Sequence, residues 1–118
     1  MLSGISSSLS ALNAIQTKTQ VTANNTANVN TDGFKKSRAT LVEADAQGGV
    51  AIEVQRVETP GSLVYESTEA GEVLVEKSNV DISEELPTMM MDRRALQANV
   101  KAVQIQDEML GSLLDIKG

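Results

Sequence analysis

The sequence is poor in nearly everything that builds a large core or a reactive centre. Its 118 residues include one Phe, one Tyr and no Trp, so the rings that usually dominate core burial are almost missing. There is no cysteine, which excludes disulfides and thiolate metal sites. There is no histidine, which removes the commonest general base and metal ligand. No apolar run reaches the length of a bilayer span, and the first eight residues combine neither a basic stretch nor a continuous apolar one. A Sec-type signal peptide is therefore not expected, nor a cofactor, a membrane span or a small-molecule substrate.

What remains is Val, Leu, Ile, Ala and Met, together with an uneven charge. The formal net charge is -6. Residues 1–40 carry Lys18, Lys35, Lys36 and Arg38 against Asp32 alone, whereas residues 41–85 carry eleven acids against Arg56 and Lys77. An acidic middle disfavours nucleic acid, which demands clustered cations for its phosphates. The short cluster Lys35-Lys36-x-Arg38 reads more simply as a solvated loop end than as a binding patch.

The apolar pattern divides the chain into residues 1–40, 41–77 and 78–118. In the first part Leu2, Ile5, Leu9 and Leu12 recur at spacings of 3, 4 and 3, the rhythm of a helix seam, and Ile15 widens the stripe. The same register then falls on Gln16, Thr19, Ala23 and Thr26, so the seam fades. Asn24, Asn25, Asn28, Asn30, Thr31 and Asp32 crowd the end of this helix, in residue types that favour turns over helix. Gly33 is expected at positive φ, with Phe34 plugging the turn.

The middle reads as β structure. Val50, Ile52 and Val54 alternate with polar neighbours, Pro60-Gly61 marks a turn, and Leu63–Tyr65 and Val73–Val75 flank another turn at residues 68–71. This predicts a small antiparallel sheet of about three strands. The last part carries the longest pattern. Ile82, Leu86, Met89, Arg93, Leu96, Val100, Val103, Asp107, Leu110 and Leu114 alternate at spacings of 4 and 3, and eight of the ten are apolar. Asp81 or Ser83 is the expected cap, with Glu84 and Glu85 favourable to the first turn. Pro87 fits only if the regular helix starts within about one turn of it, or if the helix bends there. The fold class is therefore α+β: long terminal helices forming a coiled-coil-like pair, with a small antiparallel β insert between them. A sheet this small cannot cover both seams, so part of the apolar surface must find a helix of this chain or of a neighbour.

Two motifs carry a resemblance. Residues 23–38, Ala-Asn-Asn-Thr-Ala-Asn-Val-Asn-Thr-Asp-Gly-Phe-Lys-Lys-Ser-Arg, closely resemble the N-terminal signature of flagellar rod and hook axial proteins. Ser78-Asn79-Val80-Asp81-Ile82-Ser83-Glu84-Glu85, followed by Arg94-Ala95-Leu96-Gln97-Ala98-Asn99, resembles that family's C-terminal segment. Leu96 departs from the aromatic that many members place there, and Pro87 departs from an ordinary helix former. The resemblance implies terminal helices that pack in a helical tube around a channel, partners that are other rod subunits or copies of this chain, and a place in the periplasmic rod of the basal body. It also implies export by the flagellar type III apparatus without a cleaved signal. By size, the short insert resembles the proximal-rod, FlgB or FlgC type.

Other readings explain less. Asn28-x-Asn30-x-Asp32-Gly33 has the look of a calcium loop but offers one carboxylate, and Ala39 stands where the bidentate Glu belongs. Ser6-Ser7-Ser8 has no neighbouring base to activate a nucleophile, and Glu84-Glu85 point in different directions on a helix. Met89-Met90-Met91 reads as one seam residue with two beside it. An adaptor module carrying the same end segments is the alternative to a structural subunit. An enzyme is not expected.

Overall fold

The structure, a computed structural model, describes residues 2–45 and 48–117. Its elements run α1 (Leu2–Ala27), β1 (Ser37–Glu43), β2 (Val50–Arg56), β3 (Leu63–Thr68), β4 (Gly71–Glu76) and α2 (Ile82–Lys117). The helices span about 39 Å and 54 Å at the usual rise per residue. They lie side by side and antiparallel: Thr26 reaches Met89, Lys18 pairs with Asp92, and Gly4 lies against the Gln106 side chain. The last turns of α2 therefore run past the start of α1.

The second half of α1 is polar yet tightly packed. Thr17, Thr19, Thr22 and Thr26 each donate a hydroxyl to the carbonyl four residues back, at 2.8–3.1 Å. These internal bonds satisfy the hydroxyls, so that Thr22 is buried without an outside partner. α1 serves two neighbours. One side meets α2. Another meets the β1–β2 hairpin in a cleft lined by Ser10, Ala14, Thr17, Val50 and Ile52. The Val50 N–H donates to Ser10 Oγ at 3.0 Å, fixing the outer end of that hairpin to the helix.

The β insert differs from the expected three-stranded sheet. It has four strands in two separate antiparallel hairpins, β1 with β2 and β3 with β4. The additional strand, β1, begins inside the N-terminal motif and pairs from Ser37 with Arg56 to Glu43 with Val50. The β3–β4 hairpin packs on no other described helix or strand. Its tip turns at Gly71, with φ 118°. Both its faces carry exposed apolar side chains, including Tyr65 at 70% exposure, Leu63, Val64 and Leu74. The molecule is accordingly long, 80 × 26 × 18 Å. Its radius of gyration is 20.9 Å, where a compact chain of this length would have about 13–14 Å. It exposes 8315 Å², against about 6,200 Å² for a compact globule of this mass.

The helix seam also differs in register from the sequence expectation. On α2, the column Met89, Leu96, Val103 and Leu110 turns toward α1. The second inward column is polar: Glu85, Asp92, Asn99 and Gln106. Leu86, Val100 and Leu114, expected in the seam, lie exposed, Leu86 at 51% and Leu114 at 64%. On α1, Ile15 is 3% exposed, Ile5 and Leu12 are half-buried, and Leu9 is exposed. The Leu2 side chain lies outside the described residues. The physical reason lies in α1. Apart from Ile15, its inward face, Gly4, Ser8, Ala11, Lys18, Thr22 and Asn25, is small or polar, and it accepts a polar column that apolar periodicity does not reveal.

This register predicts unequal costs for two similar truncations. Ile15→Ala is expected to destabilise the chain by about 2–4 kcal/mol through a poorly filled cavity, and Leu86→Ala by less than about 1 kcal/mol. Urea melts of the two variants check this, and equal losses would restore the apolar register.

Candidate functional site

The site is a junction where the two sequence motifs meet, together with the helix pair that leaves it. α1 ends as Asn28 turns back on its last carbonyls: its N–H and its Nδ2 both donate to Asn24 O, at 3.2 and 2.8 Å. The Thr31 hydroxyl donates to Asn28 Oδ1 at 3.0 Å. Gly33 follows at φ 71°, as its position predicts, and its N–H donates to the Glu76 carbonyl at 2.8 Å. The Asn-rich run thus spends its side chains on shaping a turn that docks onto the end of β4. Asn30 and Thr31 stay exposed, and Phe34 is half-buried.

Two asparagines tie the pieces together. Asn25, 2% exposed, donates from Nδ2 to the Ser37 carbonyl at 2.7 Å and accepts the Ser37 N–H on Oδ1 at 3.0 Å. Its carboxamide thereby acts as a one-residue strand partner and locks α1 to β1. Asn79 does more. Its Nδ2 donates to the carbonyls of Val57 and Thr59, both at 2.9 Å, and its Oδ1 accepts the Lys36 N–H at 2.7 Å. Its own N–H donates to the Phe34 carbonyl at 3.2 Å. One side chain thus joins the turn after α1, the exit of β2 and the approach to α2. Both Nδ2 donors and the Oδ1 acceptor are engaged, as a part-buried amide requires.

Asp81 starts α2. Its Oδ1 accepts the Ser83 hydroxyl at 2.6 Å and the Ser83 N–H at 2.9 Å, and its carbonyl accepts the N–H groups of Glu84 and Glu85 at 3.0 Å. Pro87 sits inside the first two turns of the helix. Val80 is buried beside the cap. Glu84 pairs with Lys36 at 2.9 Å, and Glu85 is buried. Among the described residues Asn99 bonds to its own helix, at the Ala95 carbonyl, and Arg94 is exposed.

Charges complete the junction. Lys35 is bound to the Glu76 carboxylate, which also accepts the Gly61 N–H at 3.1 Å. Lys77 is held by Glu66 and by Asp32, the latter at 2.9 Å. Two members of the basic cluster, Lys35 and Lys36, are therefore neutralised within the fold. Of the calcium-loop residues, Asn28 is bonded within the turn itself and Asp32 is taken by Lys77. Gly61 is required sterically, because a Cβ there would lie 1.8 Å from the Lys77 carbonyl oxygen. A polar cavity of about 110 Å³ between α1, β1 and the start of α2 is lined by Lys18, Thr22, Asn25, Lys36 and Glu85. This arrangement binds backbone to backbone. Glu76, Lys77, Lys18 and Asp92 are structural residues that periodicity missed, and no pattern in the sequence pairs them across such distances.

These features define a class: an elongated helix pair, clamped at one end by a polar junction, with apolar surface left over for neighbours. Two family models match its two ends. Residues 5–35 match the one described as flagella basal body rod protein, and residues 74–116 match flagellar basal body rod FlgEFG protein C-terminal. The flagellar basal-body rod protein FlgG of Bacillus subtilis is 49% identical over 88 residues, covering 75% of this chain and 31% of that protein. FlgG of Borreliella burgdorferi is 46% identical over 44 residues, 37% of this chain and 17% of that protein. The chain belongs to the flagellar basal-body rod protein family. It spans less than a third of the length of these relatives. The similarity lies with FlgEFG and FlgG, whereas the short insert pointed by size to the FlgB or FlgC type.

Two outcomes test the junction. Asn79→Asp keeps the shape but turns the Nδ2 donor into an acceptor facing two carbonyls, so it is expected to cost about 2–4 kcal/mol, while exposed Asn24→Asp costs under about 1 kcal/mol. Chemical denaturation distinguishes them. The second outcome is a pH profile. Lys35, then the Gly61 N–H, hold the Glu76 carboxyl below its usual range, and the Ser83 hydroxyl and N–H do the same for Asp81. Glu66, then Asp32, raise the Lys77 ammonium above its usual range. The lowered carboxyls contribute stability above their ordinary values of 4.5 and 3.8 and lose it as pH falls through their folded values. The raised ammonium contributes below 10.5 and loses it as pH climbs through its folded value. Melting temperature should therefore be flat between these limits and fall on both sides. A decline that begins near neutrality would contradict the assignment.

Proposed function

We propose that the chain is a structural subunit of the flagellar basal-body rod, assembling with other rod subunits or with copies of itself through its terminal helices into a helical tube that serves motility. The observation that carries this reading is the apolar surface that the chain leaves bare along α2. Leu86, Met90, Val100, Ile105, Met109 and Leu113 are exposed on a helix that α1 covers on one side only. Exposed apolar area of this extent favours association. The family matches at both ends, in the order and places where the helices stand, support the same reading.

In this reading the junction sets the angle at which the helix pair leaves the β insert, and its bonds give each subunit the same shape. Polar clamps suit that task because they are directional where apolar contacts are not. The protein acts by shape and contact, not by catalysis. It leaves the cell interior through the flagellar export apparatus and takes its place in the periplasmic part of the basal body. Among the described residues no helix is long and apolar enough to cross a membrane.

The β3–β4 hairpin, bare on both faces, favours a second reading, an adaptor that captures another protein through Leu63, Tyr65 and Leu74. A pair of variants separates the two. Leu9 is exposed on α1, so Leu9→Asp should leave helix content by circular dichroism unchanged while abolishing rod formation and motility. Val103→Asp, which charges the inner seam, should lose assembly and also lower the melting temperature. A motile Leu9→Asp strain that loses function on Tyr65→Ser would favour the adaptor.

A further inference from the structure

One column of α2 takes no part in the α1 seam: Leu86, Arg93, Val100, Asp107 and Leu114, spaced seven residues apart and all exposed. Arg93 and Asp107 form no ion pair within the described residues, unlike Lys18, Lys35, Lys36 and Lys77. Unpaired opposite charges that interrupt an apolar column mark a choice of partner and orientation.

The column is symmetric in spacing and apolar character about its centre and opposite in charge on the two sides. Val100 stands at its centre, the two charges lie seven residues to either side, and the two leucines fourteen. We infer that α2 pairs with α2 of a second copy, antiparallel, about a twofold axis at Val100. Reversal about that axis sets each Arg93 beside Asp107 of the second copy and each Leu86 beside its Leu114, while the two Val100 side chains meet at the centre. The charges are about 21 Å apart along the helix, so the two ion pairs are separate and both form. A parallel, in-register pair would instead oppose Arg93 to Arg93 and Asp107 to Asp107, and like charges across an interface reject that arrangement. Met90 lies one turn from Leu86 at the rim and adds adaptable apolar area.

The pairing is isologous and therefore closed. A helical tube uses one repeated, one-way contact, and a twofold pair cannot extend it. The pair covers an apolar stripe before assembly and must open for assembly to proceed. That consequence rests on the rod reading, whereas the pairing itself does not.

Cysteine cross-linking and charge reversal on the full chain test it, and the absence of native cysteine makes the first clean. Val100→Cys should oxidise to a covalent dimer. Leu86→Cys should not, and Leu86→Cys with Leu114→Cys should. In sedimentation, Arg93→Asp alone and Asp107→Arg alone should each weaken dimerisation at least about tenfold, because symmetry creates two repulsive contacts. The double reversal should restore it to within about threefold of the parent. All five substituted side chains are exposed, so folding is not at stake. A parent chain that stays monomeric through the micromolar range, a Leu86→Cys chain that links to itself, or single reversals without effect would overturn the pairing. None of these outcomes bears on the rod reading, which is decided by motility of the Leu9→Asp strain.

Discussion

The Asn79 carboxamide is the contact on which the remaining architecture depends. It binds Lys36, Val57 and Thr59 at once, three stretches of backbone that otherwise share little packing. A chain with so few aromatic residues has no large core with which to hold its turns. It uses directional hydrogen bonds in place of bulk burial, and the buried amide is strong in proportion to how completely its groups are matched. Asn25 repeats the device at the other side of the junction, where it fastens α1 to β1. With these two clamps in place, α2 returns antiparallel to α1, and the two motifs at opposite ends of the sequence become one surface.

The helix pair itself is built differently from an ordinary coiled coil. One inward column of α2 is apolar and the other is Glu85, Asp92, Asn99 and Gln106. Asp92 pairs with Lys18 at 3.0 Å, yet among the described residues its second oxygen is buried without a partner, as is the Gln106 carbonyl oxygen. Polar groups in a seam fix register at a cost in stability. The intramolecular contact is thereby specific without being strong, and apolar side chains such as Ile105, Met109 and Leu113 are left outward. This division suits the rod subunit proposed above, because it leaves apolar surface for neighbours.

Much of this was legible in the sequence, and the limits have physical causes. The terminal helices, the turn at Gly33, the start of α2 at Asp81 and the β character of the middle all follow from local rules of periodicity, capping and backbone conformation. The motif residues were visible as motifs, but their bonds were not, because Asn25 and Ser37, or Asn79 and Lys36, are joined across the fold. The division of the stripe between α1 and the outside was not legible, because apolar spacing identifies an amphipathic stripe without saying which neighbour it faces. Leu86 and Val100 fit a seam as well as Met89 and Leu96 do, until α1 presents a polar, small-residue face that selects the other column.

The sequence by itself determined which segments are helix, which are strand and where the chain must turn, since those depend on neighbours a few residues away. It also determined that the chain has too little bulk to hide its own apolar surface. Only the tertiary structure decided that the insert is two hairpins and not one sheet, that a polar column lies inside and an apolar one outside, and that two distant asparagines carry the junction. Those outcomes depend on pairings between residues tens of positions apart, and no local spacing encodes such a pairing.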